Sequence, residues 1–109
     1  GELPEILRRA STHHPEYPIV LEADNIELAT RLLQLPIRRV LLDNMTQDQV
    51  KQIVSIRNKV NSKVEIEVSG GVTLESAKVF ARCGVEWISV GRITHSARSI
   101  DFSLDLERR

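Results

Sequence analysis

Residues 39–73 read RVLLDNMTQDQVKQIVSIRNKVNSKVEIEVSGGVT, and the fold is decided in this stretch. Arg39-Val40-Leu41-Leu42-Asp43 is a short apolar run ended by an acid, the pattern of a buried strand. Thr46 then stands as an N-cap before a helical pattern over 47–60, with Val50, Ile53, Val54 and Ile56 on its apolar face. Lys63-Val64-Glu65-Ile66-Glu67-Val68 comes next as a strand that alternates at its start. Ser69-Gly70-Gly71 turns the chain towards Thr73, a second N-cap. Strands separated by helices of this length are joined by crossovers, so they lie parallel.

The same rhythm extends both ways. Upstream, Leu3, Ile6, Leu7 and Ala10 have helical spacing over 3–14, before Pro15 and Pro18. Ile19-Val20-Leu21-Glu22-Ala23 is a strand, and Asp24 or Asn25 caps a helix carrying Ile26, Leu28, Ala29, Leu32 and Leu33 that ends before Pro36. Downstream, a helix over 74–83 is closed by Gly84, and Glu86-Trp87-Ile88-Ser89-Val90 is the fourth strand. Gly91 to Ser96 reads as a loop, and Ser99 to Leu106 alternates as a last strand with one buried face. The βα period of about 22 residues is a fold period and not a solenoid repeat. Two architectures suit it: a small open doubly wound sheet, or a piece of a βα barrel. A complete eight-stranded barrel needs about 200–250 residues, so the second option is a partial, open barrel with exposed edge strands.

Composition narrows the function classes. The chain has 109 residues, enough for one domain or part of one. Hydrophobic residues at 41% are enough to offset ordering entropy, which excludes disorder. Fifteen basic residues against fifteen acidic ones leave no basic excess for counterion release, which argues against nucleic acid as the partner. No apolar run approaches the roughly 18 residues of a membrane span. The opening Gly-Glu-Leu-Pro-Glu lacks the basic and apolar regions of a signal peptide, so a cytoplasmic protein is expected. Cys83 is the single cysteine and reads as a small core residue, since no His partner stands at motif spacing. His13 and His14 lack a third ligand, and Trp87 reads as core or interface.

In βα folds ligands sit beyond the carboxyl ends of the strands. Those ends carry Glu22, Asp43, Ser69-Gly70-Gly71 and Gly91-Arg92. Glu22 and Asp43 are hard oxygen donors on successive strands. They suit Mg²⁺, which binds through one or two carboxylates with substrate phosphates. They could equally take sugar hydroxyls, stabilise a developing positive charge, or simply cap the next helices. Ser69-Gly70-Gly71 lets backbone N–H groups at a helix start approach a phosphate, although a tight turn alone also needs glycine. The next strand end strengthens the phosphate reading. Gly91 again permits close approach, and Arg92, His95 and Ser96 add donors, as loops after two late barrel strands often share one phosphate.

Taken in series, these blocks resemble a known family. Leu41-Leu42-Asp43-Asn44-Met45, Ser69-Gly70-Gly71-Val72-Thr73, Val90-Gly91-Arg92-Ile93-Thr94-His95-Ser96 and Asp101-Phe102-Ser103-Leu104 are similar to the C-terminal part of the quinolinate phosphoribosyltransferases. The resemblance implies transfer of phosphoribose from phosphoribosyl pyrophosphate to quinolinate, with decarboxylation to nicotinate mononucleotide, using Mg²⁺, in NAD biosynthesis. It implies a type II phosphoribosyltransferase barrel over residues 1–98 and a C-terminal strand over 99–109 that packs on an N-terminal domain. Glu22 and Asp43 match the acids facing ribose and metal, and Ser69, Gly70, Gly91 and His95 match the positions around the 5-phosphate. Gly71 and Arg92 complete the phosphate set read from the residues themselves.

The departures shape the expectation. The basic segments that hold quinolinate's carboxylates in the family lie upstream, in the N-terminal sandwich domain and the early barrel strands, and the Lys-Asp-Asn-His block before the first helix is absent. Arg92 stands where the family usually has a small residue, and Val20 replaces a frequent acid. The expected protein is therefore the C-terminal portion of the enzyme, inactive by itself, partnered by the N-terminal half and assembled as a homo-oligomer. Two rival readings stand beside it. One is a phosphate-binding or self-assembling half barrel without catalysis, and the other a related transferase with another acceptor.

Overall fold

A computed structural model describes residues 18–91 and 93–100, together with Glu5 and Arg9. The elements are β1 (Val20–Ala23), α1 (Ile26–Leu32), β2 (Arg39–Asp43), α2 (Gln47–Val60), β3 (Glu65–Ser69), α3 (Leu74–Ala81), β4 (Trp87–Val90) and β5 (Ile93–Ser96). Each helix begins where a side chain satisfies an otherwise unpaired N–H. Asn25 accepts from Leu28 at 2.8 Å. Thr46 and Gln49 form a reciprocal capping box, as do Thr73 and Ser76. Gly84, at φ +100°, ends the turn after α3 in the left-handed region. Glu5 and Arg9 are helical and form an exposed pair at 3.0 Å, in keeping with a helix there. The rest of the segment expected to be helical over 3–14, His13 and His14 included, lies outside the described residues.

The sheet order is β1-β2-β3-β4-β5, with the first four strands parallel. This order decides between the two architectures. A doubly wound sheet reverses its strand order and so receives helices on both faces. Here the order never reverses, and right-handed crossovers then lay every helix on one face. That is the arrangement of a βα-barrel wall. On the helical face Val40, Leu42, Ile66, Val68 and Ile88 are each 1% exposed or less, and they share one core with Leu33, Val50, Ile53 and Ala77. Alternation sends the other residues to the opposite, open face: Glu22 from β1, Arg39, Leu41 and Asp43 from β2, Glu65, Glu67 and Ser69 from β3, Trp87 and Ser89 from β4.

Two expectations are corrected. Residues 91–96 are not a loop. Val90 pairs with Ile93 across a two-residue connection, and β5 runs back antiparallel along β4 to pair Trp87 with Ser96. The signal was Gly91, which at φ +65° supplies the backbone that a two-residue hairpin connection favours. Ser99 and Ile100 do not open a strand. They belong to a helical turn over 97–100 that buries Ala97 and Ile100 and crosses the 98/99 boundary. Residues 101–106 lie outside the described residues.

The amino ends of β3 and β4 are tied together by Arg57, which is 6% exposed on α2. Its guanidinium donates to the Val64 carbonyl at 2.8 Å, the Gly84 carbonyl at 3.0 Å and Glu86 Oε1 at 2.6 Å. Glu86 Oε1 in turn accepts the Ile66 N–H at 2.8 Å. Arg57→Ala strips donors from two carbonyls and one carboxylate, and is expected to lower stability by about 2–3 kcal/mol. Urea denaturation checks this: the midpoint should fall with an unchanged slope.

Candidate functional site

The carboxyl ends of the four parallel strands lie side by side, so the residues there are set by register. Glu22 pairs with Leu41 and Leu41 with Glu67, which puts Glu22 on the open face in line with Glu67. Asp43 is the last residue of β2 and pairs with Ser69, the last of β3. Glu22 and Asp43 therefore share the open face on adjacent strands, one exposed and the other half-buried. Among the described residues neither makes an ion pair or a side-chain hydrogen bond.

The glycine turn packs directly on the second acid. A Cβ built on Gly70 would stand 2.3 Å from Asp43 Oδ1 and 2.8 Å from the Asn44 nitrogen. Gly70 also holds φ +81°, so both space and backbone conformation require glycine. Asn44 is left-handed at φ +57°, and its N–H donates to the Ser69 carbonyl at 3.0 Å, which locks the two strand ends together. The turn then leads through Gly71 and Val72 into the Thr73 cap of α3.

The later donors are distributed differently. Gly91 is exposed at the carboxyl end of β4. Arg92 is outside the described residues. His95 is exposed and pairs with Ile88, so its register puts it on the helical side of the edge strand. Ser96 is carried back to the level of Trp87, near the amino end of β4 and away from the Gly91 turn. The structure thus brings Glu22, Asp43, Ser69 and Gly70 together, sets Gly91 at the neighbouring strand end, and moves Ser96 off.

The open face holds a polar network that reading the strand ends alone does not reveal. Arg39 donates to Glu67 at 2.7 Å and to Glu65 at 3.2 Å, and lies 4.4 Å from the Trp87 ring centroid. The Trp87 indole donates to Glu65 at 3.1 Å, and Ser89 donates to Glu67 at 2.7 Å. The legible signal was the alternation of Glu65 and Glu67 around Ile66. Trp87 is half-buried on this face, engaged by its ring and its N–H together. Cys83 behaves as the sequence implies: burial pushes its thiol up, with Lys51 offsetting part of the effect, so it is a poor nucleophile at neutral pH.

No group of three or more His, Cys, Asp or Glu among the described residues is placed to hold a metal. The pair Glu22 and Asp43, unengaged among the described residues, nevertheless has the donor chemistry of Mg²⁺, which takes one or two carboxylates and completes its shell from phosphates and water. No helix among the described residues is long and apolar enough to cross a membrane.

The fold is that of a βα-barrel wall, with the candidate site at the carboxyl ends of its parallel strands. Residues 1–105 match the family model described as Quinolinate phosphoribosyl transferase, C-terminal domain, and the chain belongs to that family. The nicotinate-nucleotide pyrophosphorylase (carboxylating) of Mycobacterium leprae is 36% identical over 106 residues, covering 97% of this chain and 37% of the relative. A probable nicotinate-nucleotide pyrophosphorylase of Archaeoglobus fulgidus is 48% identical over 67 residues, covering 60% of this chain and 26% of the relative. Among solved structures, the Ehrlichia chaffeensis nicotinate-nucleotide pyrophosphorylase aligns with TM-score 0.65 and 33% identity over 80% of this chain and 31% of that one. The chain spans about a third of the length of the first of these relatives.

The two glycines of the turn separate space from conformation. Gly71, at φ +66°, has nothing within 4 Å of a built Cβ. Gly71→Ala is expected to cost about 1–2 kcal/mol for the left-handed backbone alone. Gly70→Ala adds a clash with Asp43 and Asn44, and should cost more. Thermal unfolding of the two variants side by side checks the ranking, and equal costs would remove the close packing of the turn on Asp43.

Proposed function

We propose that this chain supplies the phosphoribosyl pyrophosphate half of a quinolinate phosphoribosyltransferase site, in the reaction that makes nicotinate mononucleotide for NAD biosynthesis. The observation that carries this reading is the pair of carboxylates Glu22 and Asp43, unengaged among the described residues, with the Gly70 turn packed against the second. Loss of pyrophosphate from the anomeric carbon develops positive charge on the ribose, as in glycoside chemistry. Carboxylates on the open face stabilise that charge. Ser69, Gly70 and Gly71 offer donors at the start of α3 to the 5-phosphate, with Gly91, Arg92 and His95 proposed as the other side of the cradle. Binding energy from the phosphate then fixes the ribose for reaction. Mg²⁺ held by Glu22 and Asp43 would supply charge neutralisation for the leaving pyrophosphate.

Quinolinate is the other substrate, and its carboxylates need cations from elsewhere. On the open face Arg39 is engaged by Glu65 and Glu67. The N-terminal half of the longer enzyme is the proposed source, in a cytoplasmic homo-oligomer. None of the described elements covers this sheet face, which supports a covering partner, because parallel sheets are normally buried on both sides.

Titration calorimetry with phosphoribosyl pyrophosphate and Mg²⁺ tests the reading. The 109-residue chain should bind, and Glu22→Gln and Asp43→Asn should each weaken binding about tenfold or more, or 1.4 kcal/mol. The same chain mixed with quinolinate should form no nicotinate mononucleotide. Binding unchanged in the double variant would take the acids out of the site, and turnover by the chain alone would overturn the division of labour.

A further inference from the structure

We propose that Glu67 is a positioning residue, holding the β4–β5 hairpin against β3 so that the Gly91 turn stays level with the Gly70 turn. Glu67 is 8% exposed on the polar side of the sheet, and both of its oxygens are engaged. Oε1 accepts from Arg39 at 2.7 Å. Oε2 accepts from the Ser89 hydroxyl at 2.7 Å and has Thr94 Oγ1 at 3.5 Å. Ser89 and Thr94 are paired across β4 and β5 with their hydroxyls 2.9 Å apart. Since the Ser89 proton points to Glu67, Thr94 donates to Ser89. The carboxylate thus grips β4 directly through Ser89, and β5 through the Thr94–Ser89 bond, one residue pair below the turn.

The tip of the hairpin depends on this grip, since its other anchors, the buried Ile88 on β4 and the buried Ala97 and Ile100 that follow β5, lie farther from the turn. Ile93, Thr94 and His95 are exposed, so β5 adds almost nothing to the core. Beyond its ladder with β4 and the buried Ala97 and Ile100 that follow it, β5 is linked towards β3 among the described residues through Thr94, Ser89 and Glu67. Arg39 holds the other oxygen and is itself fixed by Glu65 and the Trp87 ring. A group that accepts from donors on both sides suits a carboxylate, and a charge-assisted bond to each is the strong kind. Glu67 therefore reaches the candidate site through Ser89, without touching a ligand. The consequence for ligand affinity rests on the phosphate cradle proposed above.

Amide hydrogen exchange of the full chain tests the proposal, together with calorimetry of phosphoribosyl pyrophosphate and Mg²⁺. Glu67→Ala should speed exchange across residues 89–95 about tenfold or more, leave β1 and β2 as they were, and weaken the ligand about tenfold. Ser89→Ala, which spares the Arg39 pair, should loosen the same segment. Glu67→Gln should restore protection and affinity to within about threefold, because its amide oxygen can accept from Arg39 while its NH₂ donates to Ser89. Three results would overturn the assignment: unchanged hairpin exchange in Glu67→Ala, faster exchange spread over the whole sheet, or a Gln variant as impaired as Ala. If the unsubstituted chain binds no ligand, the cradle reading fails, and the exchange data still decide the role of Glu67. Should Glu67→Ala not fold, Ser89→Ala and Glu67→Gln decide it.

Discussion

Parallel strands laid down in sequence order, each leading into a right-handed crossover, receive all their helices on one side. The rest of this structure depends on that constraint. One face of the sheet is dry, built from Val40, Leu42, Ile66, Val68 and Ile88 against the helices. The other cannot be left apolar without a cover, and it carries Glu22, Arg39, Asp43, Glu65, Glu67, Ser69 and Ser89 instead. A polar face on a parallel sheet is unusual, and it puts charged side chains within reach of a ligand at the strand ends.

Stability and chemistry are divided along the strand axis. At the amino ends, Arg57 on α2 satisfies two carbonyls and Glu86, closing the base of β3 and β4. At the carboxyl ends the opposite holds: Glu22 and Asp43 keep their oxygens unengaged among the described residues, and Gly70 gives up a side chain so that its backbone can lie against Asp43. Between the two lies the network centred on Glu67, both of whose oxygens are engaged. Hydrogen-bonded side-chain networks rigidify their surroundings, and this one lies beside the two strand-end acids.

Much of this is legible in the sequence, and the reasons are local. Thr46 and Thr73 announce their helices because a hydroxyl one residue ahead of an amphipathic run has an N–H to satisfy. Gly70 and Gly84 mark positions where only a residue without a Cβ is at ease. The strand-end acids and the glycine turn stand out because each sits immediately after an apolar run. The hairpin at 91–96 escapes because the βα rhythm suggests a loop after β4, and one glycine has to announce the turn. Arg39, Glu67 and Ser89 escape because the hydrogen bonds of Glu67 link residues far apart in sequence, and nothing in their spacing reports them.

The amino-acid sequence by itself determined the elements from β1 to β4, their parallel pairing, the core-facing residues and the acids and glycines at the strand ends. Those arise from periodicity, capping and backbone freedom, which act over a few residues. Only the tertiary structure decided that the strand order does not reverse, that all the described crossover helices share one face, that Asp43 lies against Gly70, and that His95 and Ser96 run back along the edge. Register between distant strands sets these, and a shift of one residue would send each side chain to the other face.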